Sequence, residues 1–100
     1  MTRKEAMQAM LEKITAGEFF GDLPRPLEFH TDLCFKAFSG DLNAARSLHE
    51  ALRPGEYWAV GVSYDGYFSF SLMGFDTFYA KDPAVAWLIA LITGEIARCE

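Results

Sequence analysis

The amino-acid sequence predicts an α+β fold in which helices cover a three-stranded antiparallel sheet. Two stretches of alternating apolar residues predict the sheet, Tyr57–Gly74 and Phe75–Ala80, and helical patterns precede and follow them. Strands are expected at about 57–63, 67–73 and 75–80. The covering helices are expected at about 41–52 and 83–98, with an N-terminal helix at about 3–16.

The large side chains set the register of the predicted hairpin. A three-residue loop, Tyr64-Asp65-Gly66, pairs Ser63 with Tyr67, whereas a two-residue Asp65-Gly66 turn would mix large apolar residues with serines on each face. The three-residue loop collects the large residues on a single face, which we therefore expect to be buried. That face holds Trp58, Val60, Val62, Phe68, Phe70 and Leu72.

The first 40 residues add a helix and a connector. Thr2 and Glu5 have the spacing of a capping box, and apolar residues then recur at helical spacing up to Gly17. Two prolines between Glu18 and Thr31 favour an extended segment, a strap that lies against the domain. Asp32 is expected to cap a short helix that ends at Phe38.

Residues 41–100 are expected to form an α-β-β-β-α core. Asp41 can cap the first helix, Pro54-Gly55 ends it, and Asp82-Pro83 is typical of a helix start. The last helix is apolar over most of its surface, as a helix that covers a sheet would be. We expect one globular unit, because 100 residues suffice for one core.

Composition excludes some classes of function. The net charge is −5, and no Lys or Arg occurs between Arg53 and Lys81, so binding of nucleic acid by the sheet is not expected. The longest apolar run, 84–92, is too short to span a bilayer. No stretch near the N-terminus resembles a secretion signal. We therefore expect a cytoplasmic protein without a membrane segment, in which Cys34 and Cys99 are reduced.

Four residues have side chains that bind zinc in other proteins: His30, Cys34, His49 and Cys99. They include no Cys-x-x-Cys pair, and His49 and Cys99 are far apart in the sequence, so no metal site, cofactor or catalytic residue is predicted. The alternative hypothesis is a small metal- or thiol-dependent enzyme that uses His30, Cys34 or His49.

The aromatic residues predict a surface for binding another protein. Fifteen in a hundred residues are more than one small core buries, and tyrosine and tryptophan are common at interfaces. Phe68–Phe75 carries no charge and would be a hazardous bare edge, so we expect either the strap or a second copy to cover it, and favour a homodimer. The predicted binding residues are Tyr57, Tyr64, Asp65, Tyr67, Asp76 and Tyr79.

Residues 41–60, DLNAARSLHEALRPGEYWAV, and residues 82–92, DPAVAWLIALI, resemble the phage αβα-sandwich domain family. The resemblance rests on the Asp-Leu-x-Ala-Ala helix start, the Pro-Gly-x-x-Trp entry to a strand and the last helix. It implies a phage origin and helices layered on a sheet, and it implies no catalytic residues. We therefore expect a non-catalytic phage accessory protein in the host cytoplasm that binds a host or phage protein and inhibits a host defence, as anti-CRISPR proteins do. A structural phage component is the alternative.

Overall fold

The computed structural model describes residues 2–18, 23–56, 58–62, 68–72 and 77–98. Helices hold far more of these residues than strands do. In chain order the elements are α1 (Arg3–Thr15), a 3-10 turn (Leu27–His30), α2 (Thr31–Phe38), α3 (Leu42–Leu52), β1 (Trp58–Val62), β2 (Phe68–Leu72), β3 (Thr77–Ala80) and α4 (Pro83–Ala97).

Short-range capping decides where two of the helices begin. At α1, the Glu5 backbone N–H donates to the Thr2 hydroxyl at 3.1 Å, and the Glu5 carboxylate accepts from the Thr2 backbone N–H at 3.2 Å. This is the capping box that the sequence predicts. At α3, the Asp41 carboxylate accepts from the Ala44 backbone N–H at 3.1 Å. Each bond satisfies a helix N–H group that has no partner within its own helix.

The three strands lie in the order β1-β2-β3 and pair antiparallel. Trp58 pairs with Leu72 and Val62 with Phe68, which is the register that the three-residue loop requires. In the second ladder Phe68 pairs with Ala80. The loop itself, together with the residues between β2 and β3, lies outside the described residues.

Helix α4 is the centre of the molecule. It packs against α1, α2, α3, β2 and β3, and its buried residues lie on every side of it. A helix that is apolar all round must be enclosed, because a single covering layer would leave part of it in water. The core around it consists of Met7, Met10, Ile14, Leu27, Cys34, Ala37, Ala45, Leu48, Ala84, Ala86, Trp87, Leu88, Ala90, Leu91 and Ile92.

The predicted fold class is wrong. The described chain is mostly helical, the strands are only five, five and four residues long, and the helices are not a cover laid on a large sheet. Helix α3, expected on the sheet, packs against α2 and α4 instead. The physical reason is that α4 is apolar on all sides, so it collects helices on the sides that the small sheet does not reach.

Three further expectations fail. Trp58 and Val62, expected to be buried, are 36% and 72% exposed, because β1 is an edge strand and α4 packs against β2 and β3. The expected extended strap contains the 3-10 turn, whose Leu27 is fully buried and anchors it in the core. That turn runs directly into α2 at Thr31, so Asp32 is not its cap.

Candidate functional site

A cavity of about 450 Å³ opens where the end of α1 faces β3 and the first half of α4. Its inner wall is apolar and buried or half-buried, formed by Ile14, Ala80, Val85 and Ile89. Its mouth carries exposed residues from α1 and from the end of β3, namely Thr15, Gly17, Tyr79 and Lys81. The volume is within the range of small-ligand pockets, roughly 300–1,000 Å³.

The end of α1 forms one side of this cavity. The Gly17 N–H donates to the Ile14 carbonyl at 3.0 Å, and the Glu18 N–H donates to the Lys13 carbonyl at 2.7 Å. These two bonds form a Schellman motif, which requires a left-handed residue after the helix, and Gly17 has φ +87°. Since a side chain at Gly17 would meet open space, glycine is needed there for its backbone conformation alone.

The start of α4 forms the opposite side. The Asp82 carboxylate accepts from the backbone N–H groups of Ala84 at 2.8 Å and Val85 at 3.3 Å, and Pro83 occupies the first helical position. The other carboxylate oxygen of Asp82 lies close to Gly40, where an added Cβ would approach it to 3.0 Å. Asp82 is therefore held as a cap rather than placed as a free acid.

The chemistry of this cavity suits an apolar group. Its wall offers aliphatic side chains, and the Thr15 hydroxyl at the mouth already donates to the Leu11 carbonyl at 2.8 Å. The Tyr79 side chain is 60% exposed beside the opening, and Lys81 supplies a positive charge there. This arrangement can bury an aromatic or aliphatic side chain and contact polar atoms around it.

The opposite end of α4 carries a cluster of charged side chains. Arg53, only 2% exposed, contacts Glu56 at 2.9 Å and Glu95 of α4 at 3.7 Å. Arg98 contacts Glu56 at 3.0 Å and Glu95 at 3.8 Å, and Arg3 of α1 contacts Glu95 at 3.4 Å. The hydrogen bond from Arg53, with the positive charges of Arg53 and Arg98, lowers the pKa of Glu56. This cluster joins α1, the end of α3 and α4.

His49 links that cluster to the aromatic core. Its Nδ1 accepts a hydrogen bond from the Trp87 indole N–H at 3.2 Å. Its Nε2 lies 3.0 Å from the Glu56 carbonyl, which can only accept, so Nε2 carries the proton. Both ring nitrogens are used, and the side chain is buried. His49 is therefore a structural residue with a defined tautomer.

The residues considered for zinc are not brought together where the structure describes them. Cys34 is buried in the core, and burial raises the pKa of its thiol to about 11, which keeps it protonated and unreactive at neutral pH. His30 is half-buried at the end of the 3-10 turn. Within the described ranges, no three His, Cys, Asp or Glu side chains converge as metal ligands would. Cys99 lies outside those ranges.

The structure describes one of the six predicted binding residues, Tyr79. Tyr79 is exposed and borders the cavity. The other five lie outside the described residues, so their role in binding stays a prediction. These five are Tyr57, Tyr64, Asp65, Tyr67 and Asp76.

Sequence reasoning missed the cavity wall. Val85 and Ile89 lie one helical turn apart on a helix that the sequence predicts to cover the sheet, so their side chains were expected to be buried. Ile14 is the last of the apolar residues that recur at helical spacing in α1, and nothing in the sequence around it indicates that it faces α4 across a gap. No local pattern indicates this wall, because Ile14 and Val85 lie far apart in the sequence.

Comparison with protein-family models, curated proteins and solved structures finds no match to this chain. Helix α4, the most apolar helix that the structure describes, has 15 residues, and none of the described helices could span a membrane.

Proposed function

We propose that this chain is a non-catalytic protein-binding domain, and that it receives one large apolar side chain of its partner in the cavity between α1, β3 and α4. The observation that carries the proposal is the cavity itself, an opening of about 450 Å³ with an aliphatic wall. Burial of an aromatic anchor in such a pocket is the usual origin of a binding hot spot. A phage origin, and a host or phage protein as partner, belong to the proposal through the resemblance of residues 41–60 and 82–92.

The groups around the cavity favour a polypeptide. Tyr79 and Lys81 stand at the mouth, where they can contact the partner's backbone carbonyls and acidic side chains. Inside the cavity, by contrast, the side chains of Ile14, Val85 and Ile89 offer no hydrogen-bonding group. An apolar anchor with a polar backbone around it matches this distribution, because each polar group remains near water or a partner.

Selection from a displayed library of random peptides tests the proposal. Selected peptides should share one aromatic or large aliphatic residue. Replacement of Ile89 by Trp should place a bulky ring in the cavity and weaken binding strongly, and Tyr79→Ser should weaken binding without a loss of stability, since Tyr79 is mostly exposed. The matched control is Val62→Ser on β1, an exposed residue that does not line the cavity. Binding should be unchanged in that variant.

Two results would contradict the proposal. One is a selected set of peptides without a shared apolar anchor. The other is binding that survives both Ile89→Trp and Tyr79→Ser in variants whose circular dichroism matches the parent chain. Either would place binding elsewhere on the surface.

A further inference from the structure

Strand β1 is an edge strand with exposed apolar side chains. In the sheet order β1-β2-β3, β1 pairs with β2 along one side, and no strand that the structure describes pairs with its other side. Trp58 at one end of β1 is 36% exposed, and Val62 at the other end is 72% exposed. An edge strand directs part of its backbone N–H and C=O groups away from the sheet, where another strand can bind them.

The sequence of β1 is nearly symmetric about its centre. Trp-Ala-Val-Gly-Val places Val60 in the middle, small residues at Ala59 and Gly61, and large apolar residues at Trp58 and Val62. Side chains alternate along a strand, so Trp58 and Val62 share one face. An antiparallel copy of β1 centred on Val60 would set each Trp58 opposite a Val62 and each Ala59 opposite a Gly61.

We propose that β1 pairs with β1 of a second copy of this chain, antiparallel and around a two-fold axis at Val60. The pair joins two three-stranded sheets into one of six strands. Each exposed Val62 then packs against the other copy's Trp58, which already contacts Trp87 in its own core with ring centroids 4.5 Å apart. Each Trp58–Trp87 pair thereby gains a contact with Val62 of the other copy across the two-fold axis. The interface is isologous, as a closed dimer requires.

Charge permits this contact despite the net charge of −5. Strand β1 contains no charged residue. The acid closest to it in the described chain, Glu56, forms ion pairs with Arg53 at 2.9 Å and with Arg98 at 3.0 Å. The partner strand therefore meets an uncharged edge whose neighbouring carboxylate is already compensated. Like charges placed directly opposite each other would instead oppose pairing.

The dimer should be weak. Five residues a side form a contact well below the roughly 1,600 Å² of a standard interface. A dissociation constant of about 0.1–1 mM is therefore expected. The contact is independent of the proposed function, because β1 and the cavity beside β3 lie at opposite edges of the sheet. A dimer formed in this way leaves both cavities open.

Sedimentation equilibrium over a range of concentrations tests the contact. The mean mass of the parent chain should rise from 11.2 kDa toward twice that value as the concentration approaches about 1 mM. Val62→Glu should remain at one chain mass, because it sets a carboxylate against the other copy's Trp58. Tyr79→Glu is the matched control, with the same added charge at an exposed residue of β3, and it should associate like the parent chain.

A cross-link tests the register separately from the effect of charge. In a Cys99→Ser background, Val60→Cys places two thiols opposite each other at the axis, and oxidation by diamide should join two chains through one disulfide. Tyr79→Cys in the same background should remain a single chain. A constant mass for the parent chain, equal weakening by Val62→Glu and Tyr79→Glu, or equal cross-linking at residues 60 and 79 would each overturn the proposal.

Discussion

The two ends of α4 are built differently. At its start, Asp82 and Pro83 begin the helix beside an open cavity, and the nearby side chains of Val85 and Ile89 are only half-buried. At its end, Glu95 is buried among three arginines, and Gly94 leaves just enough room for one of them. The ion pairs at the end of α4 hold the helices together, whereas its start is where we propose that a partner binds.

Substitution of Glu95 should have the largest effect on stability. Glu95→Gln removes the buried carboxylate that faces the guanidinium groups of Arg53 and Arg3. Loss of one member of a buried ion pair costs roughly 3–5 kcal/mol, and we expect about 3 kcal/mol here because Arg53 keeps its ion pair with Glu56. Urea denaturation measures this as a fall in the free energy of unfolding. Glu12→Gln, at an exposed position of α1, should have almost no effect, and a loss below about 1 kcal/mol for Glu95→Gln would contradict the comparison.

Substitution of Gly94 by Ala should destabilise the protein by about 1–3 kcal/mol, because it adds a methyl group at a closely packed site. An added Cβ would overlap the Arg53 guanidinium and lie 2.9 Å from its Cζ, so this side chain and its ion pairs would have to move. A fall in the free energy of unfolding would itself be informative, because Gly→Ala inside a helix ordinarily stabilises the helix by about 1 kcal/mol.

A double-mutant cycle tests whether Arg53 is the cause. In an Arg53→Ala background, Gly94→Ala should be neutral or stabilising, as the overlapping side chain is absent. The same loss of stability in both backgrounds would assign the effect of Gly94 to another contact.

Replacement of His49 should have an intermediate effect. His49→Leu removes the hydrogen bonds with the Trp87 indole and the Glu56 carbonyl, at a cost of about 1–3 kcal/mol. Thermal unfolding measures the loss, and the near-ultraviolet circular dichroism of Trp87 should also change. His30→Leu is the matched control and should cost less than about 0.5 kcal/mol. Equal losses for the two histidines would show that the hydrogen bonds of His49 add little.

Acidification should have the smallest effect of the four. The pKa of Glu56 is lower in the folded chain than its ordinary value of 4.5, because Arg53 and Arg98 stabilise the carboxylate. Its contribution to stability is therefore complete above the unfolded pKa and is lost as the pH falls through the folded pKa. A third of the Glu56 side chain is exposed, so the contribution is below about 1 kcal/mol.

The Glu56→Gln variant isolates that contribution. Its difference in stability from the parent chain should be largest near neutral pH and should shrink as the pH falls below about 4.5. Glu50→Gln, on the exposed side of α3, corrects for the general effect of removing a carboxylate. A difference that stays constant across this range would show that the pKa of Glu56 is the same in the folded and unfolded chains.

Only part of the candidate site could be predicted from the sequence. Tyr79 was among the predicted binding residues because exposed tyrosines are typical of interfaces, and it does border the cavity. The cavity wall includes Ile14 and Val85, which lie far apart in the sequence, and no local sequence pattern indicates that two such residues line one cavity. Of the charged cluster, Arg53 and Glu56 were not singled out, since nothing in Leu-Arg-Pro-Gly-Glu indicates that the arginine is buried.

The sequence by itself determined the helix boundaries at Thr2, Asp41 and Asp82 and the pairing register of β1 with β2. Caps act within one helical turn and register follows from strict alternation, so both are readable over a few residues. Only the tertiary structure decided that α4 is surrounded on all sides and that Arg53 meets Glu95. Those outcomes depend on which segments, distant in the chain, compete for the same apolar surface, and they made the fold mostly helical instead of a sheet with a helical cover.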